Sequence, residues 1–249
     1  MLRSTCFLFC CFISSAVQAQ TTDKQGRKQG YWKKTDEKTK KLLYEGMFKD
    51  DKPVGTFKYY YPNDSIKAVM TFRSAGSASY AKLYHPSGKR MAEGPYAGKD
   101  IKDSIWTYYD EEGMLLSRET YVKGLKEGKS YVYTPDGQIS EEKTFRSGKE
   151  EGAFKQYYEP NKPKTIGTFK AGKLEGRAVY LYPNGVEAAA GYYREGLKNG
   201  PWIYRDSNGK VTERELYKNG ELASEKETTE FFEKNKIKDT QPPPQLKKK

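Results

Sequence analysis

The sequence predicts an all-β protein: an elongated meander of antiparallel β-hairpins, about eight units of 24 residues, followed by a short C-terminal helix. Three observations carry this prediction. Aromatic residues and glycines are abundant, with 21 Tyr and 23 Gly, whereas aliphatic residues are sparse and the mean hydropathy is −0.95. Both residue types recur at fixed intervals, and turn-forming residues separate them. Since disordered chains are poor in aromatics, this composition indicates many short strands and turns.

Residues 1–19 are predicted to be a secretory signal peptide. Arg3 supplies a short positive region, an apolar stretch follows, and Val17 and Ala19 place small residues before a cleavage site after Ala19. A membrane anchor would need about 20 apolar residues, more than this stretch offers. The chain is therefore expected to be exported, to the periplasm or the extracellular side. The mature chain would then contain no cysteine, since all three lie in this segment: Cys6, Cys10 and Cys11.

The repeat becomes visible when Gly200 is used as a phase marker. Steps of 24 residues lead back to Ser104, and steps of 24 or 25 lead on to Gly30. Residues 20–29 are then a lead-in, and residues 30–222 form the repeat domain. The eight markers are Gly30, Gly55, Ser79, Ser104, Gly128, Gly152, Gly176 and Gly200.

Two further columns of residues keep step with the markers and are predicted to be structural. An aromatic residue stands 17 positions after each of the last seven markers, and a glycine stands 20 positions after each of the last five. The first unit has Met47 at the aromatic position, with Phe48 beside it. We expect the aromatic column to form the core and the glycines to form turns. The aromatics are Phe72, Tyr96, Tyr121, Phe145, Phe169, Tyr193 and Tyr217, and the glycines are Gly124, Gly148, Gly172, Gly196 and Gly220.

Each unit is predicted to be a β-hairpin. Its first strand carries rings at alternate positions, as in Trp202-Ile203-Tyr204, and turn formers such as Asn184-Gly185 follow. No turn-free stretch within residues 42–222 much exceeds ten residues, which leaves no room for long helices. Because one hairpin cannot bury its aromatic face alone, the units must stack, and about sixteen strands are expected in one twisted sheet.

The C-terminal segment breaks the repeat. Ser224 followed by Glu227 is a capping-box pattern, and residues 223–238 are predicted to form a capping helix over the last hairpin. Phe231 and Phe232 would be its apolar anchors. Residues 239–249 contain three consecutive prolines and three terminal lysines, and they are predicted to be a disordered tail.

Residues 196–209 read Gly-Leu-Lys-Asn-Gly-Pro-Trp-Ile-Tyr-Arg-Asp-Ser-Asn-Gly, and the junctions at 145–152 and 169–176 share the pattern aromatic-x-x-Gly-Lys-x-x-Gly. These segments resemble MORN repeats, and in particular the variant found in the bacterial YwqK-like antitoxin family. The resemblance covers about residues 26–222. It implies a non-enzymatic repeat scaffold that binds another protein, and it carries over structural aromatics and glycines but no catalytic residue.

Some units depart from this pattern. Ala81 stands where the resemblance leads one to expect Trp or Phe, Pro160-Asn161-Lys162-Pro163 replaces an Asn-Gly turn, and residues 33–41 form a long polar turn. We expect irregular stacking near residues 74–82, where the marker is also not a glycine.

The sequence predicts no catalytic, cofactor-binding or metal-binding residue. His85 is the only histidine, and a general base also needs partners within hydrogen-bonding reach. Neither a Gly-x-Ser-x-Gly elbow nor a phosphate-binding glycine loop is present in the sequence. Acidic residues such as Glu141 and Glu142 are interpreted as solvated charges that keep a long sheet soluble. We therefore expect a protein that is not an enzyme.

The expected partner is another protein in the bacterial cell envelope. The net charge of +12 together with many rings would also suit single-stranded nucleic acid, but export and interspersed acids argue against it. Weak association with an anionic envelope surface stays open, as do an antitoxin or immunity role against a co-encoded toxin and binding of an envelope lipid or glycan. Tyrosines offer contact area at low entropic cost, and the candidate binding stripe is Tyr60, Tyr84, Tyr109, Tyr133 and Tyr157.

Overall fold

The computed structural model describes residues 20–73 and 79–237. Over these ranges the chain forms one open antiparallel sheet of 22 strands, in which each long strand pairs with the next long strand along the chain, and one helix at its C-terminal end. The predicted all-β meander of hairpins is confirmed. The predicted signal peptide (1–19), the predicted tail (239–249) and residues 74–78 lie outside the described residues.

Sixteen strands of six to nine residues form the arms of eight hairpins, which is the number that the repeat predicts. They are β2 (Lys28–Thr35), β3 (Leu42–Lys49), β4 (Lys52–Tyr60), β5 (Ile66–Phe72), β6 (Ser79–Tyr84), β7 (Arg90–Gly98), β9 (Ser104–Tyr109), β10 (Leu115–Val122), β11 (Leu125–Tyr133), β12 (Ile139–Arg146), β14 (Gly152–Glu159), β15 (Lys162–Lys170), β17 (Gly176–Leu181), β18 (Glu187–Arg194), β20 (Gly200–Arg205) and β21 (Val211–Lys218).

Six two-residue strands complete the sheet. One of them pairs with the start of β2, and the other five fold back on the end of the preceding long strand. They are β1 (Thr21–Thr22), β8 (Ile101–Lys102), β13 (Lys149–Glu150), β16 (Lys173–Leu174), β19 (Leu197–Lys198) and β22 (Glu221–Leu222).

Successive hairpins join through the same two positions of the repeat. Ala189 and Ala190, 13 and 14 residues after their marker, pair with Tyr204 and Ile203 of the next unit. The same positions take part in every earlier junction except the first, where the first unit carries one extra residue before them. The irregular stacking expected near residues 74–82 was wrong for the described part, because β5 and β6 pair from Ala68 to Phe72 without a bulge.

A row of paired residues crosses the sheet near its middle and carries the core. We call the side of the sheet that bears this row the ring face, and neighbouring residues along each strand point to the opposite face. Three rings of the row, Phe57, Trp106 and Trp202, are at most 2% exposed. In order, the row is Trp32, Gly46, Phe57, Met70, Ala81, Gly94, Trp106, Glu119, Ser130, Lys143, Phe154, Gly167, Ala178, Gly191, Trp202 and Glu215.

Small residues of this row make room for the large rings. A Cβ atom on Gly94 would lie 2.5 Å from the ring of Trp106, and one on Gly191 would lie 2.2 Å from the ring of Trp202. Neither glycine has a positive φ, so the requirement is space and not backbone conformation. Ala81 is fully buried in the same cluster as Trp106, which explains why this unit lacks a ring of its own.

The helix α1 (Glu225–Lys234) begins where a ninth hairpin would start, because Ser224 stands 24 residues after Gly200. Ser224 is the N-cap, and its side chain and that of Glu227 form the predicted capping box. Phe232 is buried and lies 5.9 Å from the guanidinium of Arg214, and Phe231 is half-buried. Since Arg214 alternates with the ring-face residue Glu215, the helix packs against the opposite face of the last hairpin.

Candidate binding surfaces

The predicted aromatic column lies on the ring face, where most of its rings pack edge-on against the central row. The centroid distances are 5.6 Å for Phe72 and Phe57 and 5.2 Å for Tyr193 and Trp202, both with interplanar angles of 84°. Tyr121 is buried. The remaining members are half-buried: Phe72, Tyr96, Phe145, Phe169, Tyr193 and Tyr217.

In the first unit, Phe48 takes this place instead of Met47. The rings of Phe48 and Phe57 are 5.0 Å apart and perpendicular. Met47 pairs with Tyr31 on the opposite face, where it is 38% exposed. The extra residue of the first unit therefore shifts the ring by one position.

Two lysines lie over ring clusters four units apart. The Nζ atom of Lys198 lies 4.5 Å from the ring centroid of Trp202, and it donates to the Tyr204 hydroxyl at 2.7 Å. Lys102 stands in the same way 4.7 Å from Trp106 and bonds the Tyr108 hydroxyl at 2.6 Å. Each of these ring clusters therefore already contacts the ammonium group of a lysine from the same chain.

The predicted glycine column lies at the turns between units. All five glycines have φ between 81° and 91°, a region open to glycine at little steric penalty. Each N–H donates to a carbonyl of the preceding unit, as from Gly172 to Glu150 at 2.9 Å. We call this series of bonds the turn ladder. Its donors are Gly124, Gly148, Gly172, Gly196 and Gly220.

Acidic and amide side chains strengthen the turn ladder. The residue before each column glycine also has a positive φ, and its N–H donates to a side chain of the preceding unit. Examples are Ala171 to Glu151 at 2.8 Å and Glu195 to Glu175 at 2.9 Å. These acids therefore have a structural role at the unit boundaries.

His85 takes part in a second series of bonds, at the ends of the strands that lie away from the turn ladder. There the hydroxyl of Tyr61 donates to the carbonyl of Tyr84 at 2.9 Å, and Tyr182 donates to Arg205 at the same distance. The Nε2 atom of His85, at the equivalent position, lies 3.4 Å from the carbonyl of Tyr109. The single histidine thus occupies a place that tyrosine fills in other units.

The predicted binding stripe lies on the opposite face, and its five tyrosines are half-buried. Three of their hydroxyls donate to a glutamate of the preceding unit. The ring of a fourth, Tyr133, lies 5.9 Å from the guanidinium of Arg118. The pairs are Tyr60 with Glu45 at 2.7 Å, Tyr109 with Glu93 at 2.9 Å, and Tyr157 with Glu142; Tyr84 is the fifth member.

Glu45 shows this arrangement in full, and we call it the tyrosine–glutamate clamp. Its carboxylate accepts from Tyr31 at 2.6 Å and from Tyr60 at 2.7 Å, and Lys33 lies 3.5 Å away. The bonds from Tyr31 and Tyr60 lower the pKa of Glu45 despite partial burial. The bond to Glu45 raises the pKa of Tyr31 to about 12, and burial with the same carboxylate raises the pKa of Tyr60 to about 12.

The clamps were missed at the level of the sequence. Glu142 is half-buried and bonded to Tyr157, so its interpretation as a solvated charge was wrong. Glu45, Glu93 and Glu142 are separated by 48 and 49 residues, which is two units. A search at twice the repeat length would have revealed this column.

An exposed aliphatic patch lies on the opposite face beside the turn ladder. Val122 pairs with Leu125, and Ile105 pairs with Thr120, two residues before Val122 on the same strand. A Cβ atom on Gly124 would lie 3.7 Å from Ile101, which places Ile101 beside this turn. The patch, which sequence reasoning did not single out, comprises Ile101, Ile105, Val122 and Leu125, each 44–59% exposed.

Within residues 20–73 and 79–237, no group of three or more His, Cys, Asp and Glu side chains is arranged to hold a metal ion. The helix of this part of the chain is too short and too polar to cross a membrane.

Comparison with known proteins identifies five repeats. The MORN repeat model matches residues 166–187, and the MORN repeat variant model matches residues 53–74, 102–123, 126–147 and 198–219. No curated protein was found to match. Among solved structures, the crystal structure of TarM is similar over 49% of this chain, with 14% identity and a TM-score of 0.22. The chain spans only 20% of the TarM chain, and this likeness carries no argument.

Proposed function

Because the chain is a MORN-repeat protein, we propose that it is an exported, non-enzymatic scaffold that binds another protein in the bacterial cell envelope. MORN repeats are generally modules that bind proteins or membranes. The observation that carries the proposal is the aliphatic patch on an open sheet. A one-layer sheet offers both faces to partners, and contiguous exposed apolar residues on a soluble surface mark interaction sites.

The polar side chains support binding over catalysis. His85 lies against a backbone carbonyl, and Glu45, Glu93 and Glu142 hold tyrosine hydroxyls. In these positions they stabilise the sheet. Three of the five tyrosines of the candidate stripe donate to these glutamates, so we assign the partner contact to the aliphatic patch, with the stripe tyrosines as neighbours on that face.

The experiment is capture of envelope proteins on the immobilised mature chain, compared between wild type and Ile105→Asp/Leu125→Asp. We expect wild type to retain a specific protein and the variant to retain it about tenfold less or worse, because charges replace buried apolar contacts. The control is Leu43→Asp/Met114→Asp, which alters two apolar residues elsewhere that are each 38% exposed. If wild type captures no specific protein, the proposed function fails.

Export has its own test. We expect the mature protein in the envelope fraction to begin at Gln20, after cleavage behind Ala19. Mass spectrometry of the intact protein measures this directly. An uncleaved chain in the cytoplasmic fraction would contradict the proposed localisation.

The likeness of residues 196–209 to the YwqK-like antitoxin family favours a second candidate, neutralisation of a co-encoded toxin. The neighbouring gene tests it, because an antitoxin is encoded beside its toxin. A toxin whose growth arrest is relieved by co-expression of this chain would support the role, and an unrelated neighbourhood would count against it. Retention on anionic vesicles or glycans at low ionic strength would instead favour an envelope lipid or glycan as the ligand.

A further inference from the structure

A line of basic side chains crosses the opposite face of the sheet at its turn-ladder end. They stand beside three successive turns between units, where the preceding residues Phe145, Phe169 and Tyr193 belong to the aromatic column. Since neighbours along a strand point to opposite faces, these side chains lie away from the ring face. We call them the basic row. Its members are Arg146 paired with Lys149, Lys170 paired with Lys173, and Arg194, and all five are exposed.

The basic row has no acidic partner within the chain as described. Over residues 20–73 and 79–237, no ion pair or side-chain hydrogen bond involves its five charged groups. Lysines on the ring face differ in this respect. The Nζ atom of Lys126 lies 2.7 Å from the carboxylate of Glu119, and that of Lys143 lies 3.0 Å from Glu141. The basic row is therefore available to anionic groups from outside the chain.

The acids near these turns are bonded to the backbone. Glu127, Glu151 and Glu175 each accept the N–H of a turn residue in the next unit, at 2.7, 2.8 and 2.9 Å. All three are half-buried, whereas the cations are exposed, so a partner meets the positive charges first. Among the turn residues 147–148, 171–172 and 195–196, Glu195 is the only acid, and it stands at the C-terminal end of the row.

The basic row continues the line of the aliphatic patch. Val122 and Leu125 flank their turn as Arg146 and Lys149 flank the next one. The Cδ2 atom of Leu125 would lie 3.6 Å from a Cβ atom on Gly148, which is in the turn between Arg146 and Lys149. A partner seated on the aliphatic patch therefore reaches the basic row without a gap.

The spacing of the basic row fits a helix better than an extended chain. Strands lie about 4.8 Å apart, so equivalent positions of successive units are about 9.6 Å apart. An α-helix rises about 10.5 Å in seven residues, and its residues i, i+3 and i+7 lie on one side. In an extended segment, side chains on one side recur about every 6.7 Å, out of step with the units. The five cations span about 19 Å, the length of about 13 helical residues.

We propose that the basic row binds an acidic α-helix of a partner protein, which lies across the strands and carries its acidic residues along one side at spacings of three, four and seven. Apolar residues beyond the acidic stretch contact the aliphatic patch. This inference rests on the proposed protein-binding function and names the partner chemistry for it. Complementary charge along the row would set the direction in which the partner lies.

Segments of this chain fit the basic row less well. Residues 238–249 contain four lysines and one aspartate, so the row would repel them. In a second copy, α1 carries Lys226 and Lys234 as well as Glu230 and Glu233, so its exposed side has mixed charge. A helix from a separate protein avoids both conflicts.

The test uses the full chain and a fluorescein-labelled peptide of three copies of Glu-Ala-Ala-Glu-Ala-Ala-Ala, followed by fluorescence anisotropy at low ionic strength. Its glutamates lie along one side of a helix, and we expect saturable binding. The first comparison peptide, three copies of Glu-Ala-Glu-Ala-Ala-Ala-Ala, divides the same charges between two sides. The second replaces each glutamate of the test peptide by lysine. Both should bind about tenfold more weakly or not at all.

Failure of the one-sided acidic peptide to bind overturns the proposal. Equal binding of the two acidic peptides overturns it as well, because a general attraction between opposite charges would then be enough. Circular dichroism checks that the two acidic peptides are equally helical.

Site variants locate the peptide. Arg146→Glu/Lys170→Glu should weaken binding about tenfold or more, and the milder Lys149→Ala/Lys173→Ala about threefold or more. The matched control Lys24→Glu/Lys38→Glu makes the same change of charge at exposed positions near the N-terminal end and should leave binding unchanged. Circular dichroism checks that the variants are folded. Equal effects of the first pair and the control overturn the proposal.

Two further measurements separate other partners. Suppose that vesicles of equal parts phosphatidylglycerol and phosphatidylcholine bind wild type more tightly than the peptide does, and that Arg146→Glu/Lys170→Glu abolishes this binding. The row then recognises a membrane surface, and the proposal is overturned. A dimer that the peptide dissociates, seen by sedimentation, overturns it in favour of a second copy. We expect neither result.

Envelope capture distinguishes failure of the basic row from failure of the scaffold role. If Arg146→Glu/Lys170→Glu captures the wild-type partner equally well, the inference about the row is overturned and the scaffold role stands. If the peptide binds the row but wild type captures no protein, the recognition of acidic helices is supported and the scaffold role fails.

Discussion

Glycine meets two different physical needs in this sheet. Gly172 sits in a turn at a φ of 85°, with open space around the place of a side chain, whereas Gly191 lies in a strand directly beneath the ring of Trp202. The first kind could be predicted, because turn glycines recur at every boundary of the later units. The second kind could not, since it depends on which ring of the next unit crosses that position.

Gly191→Ala is expected to destabilise the fold by about 2 kcal/mol, in the range for overpacking a core. The new Cβ would stand 2.2 Å from Trp202, so the ring or the strand must shift. Chemical denaturation measures the change. The matched control is Gly98→Ala, whose Cβ would make an ordinary contact of 3.8 Å and should alter the stability by at most about 0.5 kcal/mol. Equal effects would contradict the close-packing explanation.

The clamp at Glu45 predicts a dependence of stability on acid. Because the folded-state pKa of Glu45 lies below its ordinary value of 4.5, its ionised form stabilises the fold, and this contribution is lost as the pH falls below about 5. Glu45→Gln should therefore lower the free energy of unfolding by about 1.5 kcal/mol at pH 7 and by progressively less below pH 5. Denaturant titrations at several pH values measure the difference. A deficit that stays constant down to pH 3 would contradict this account.

The same clamp predicts loss of stability in alkali. Tyr31 and Tyr60 have folded-state pKa values of about 12, above the ordinary value of 10.0, so the fold favours their neutral forms. Their contribution is complete below pH 10 and is lost between about pH 10 and 12. Ultraviolet titration of tyrosinate in wild type, set against Tyr31→Phe/Tyr60→Phe, measures what these two tyrosines contribute to the late titration. If the variant loses none of the late titration, the assignment is incorrect.

Among the elements, the long strands and the helix cap follow from local patterns, but the two-residue strands do not. Asn-Gly turns and alternating rings predict where the arms of a hairpin begin and end. Two-residue strands such as β16 and β19 form when a turn with positive φ folds the chain back on the preceding long strand. A backbone bond from that turn to the preceding unit accompanies each of them. That bond joins residues 22 positions apart, as from Gly172 to Glu150, so no local pattern contains it.

The capping box should control the helix at the end of the sheet. Ser224→Ala is expected to reduce stability by about 1 kcal/mol, because the N–H of Glu227 loses its acceptor and Glu227 loses the hydroxyl. Hydrogen exchange of the amides in α1 measures whether the loss is local. Thr229→Ala, at an exposed position inside the helix, serves as the control and should have little effect. A loss spread evenly over the sheet would contradict a local cap.

At the scale of the whole molecule, each unit is stabilised by its contacts with the adjacent units. The residues joined by the side-chain bonds and ion pairs described here stand at most 24 positions apart, so each unit depends on the units beside it. The strand pairings follow the same order. Repeat architectures of this kind behave as nearly one-dimensional systems.

Trp202→Ala tests this one-dimensional behaviour. Loss of a buried Trp is expected to destabilise its surroundings by about 3–5 kcal/mol. Amide hydrogen exchange should become faster in the last two hairpins and in α1, while the first two hairpins keep their protection. Trp106→Ala should instead shift the weakened region to the middle of the chain. Uniform acceleration in both variants would contradict the neighbour model.

The sequence predicts the repeat architecture more fully than it predicts the candidate binding surfaces. Spacing alone gives eight hairpins, their ring column and their turn glycines, because these repeat in every well-formed unit. The clamps occur only in the first, third and fifth units, and the aliphatic patch occurs once. Features that do not repeat leave no periodic signal, and they emerge only when the strands are paired.

The turn ladder has a direction. The N–H groups of Gly124, Gly148, Gly172, Gly196 and Gly220 all reach back to a carbonyl that precedes them in the chain. During synthesis or translocation, the acceptors of one unit are thus in place before the donors of the next have emerged. Hairpins can be added one at a time onto a finished edge, in the order in which the chain appears. The sheet can therefore grow from its N-terminal end without waiting for the C-terminal half.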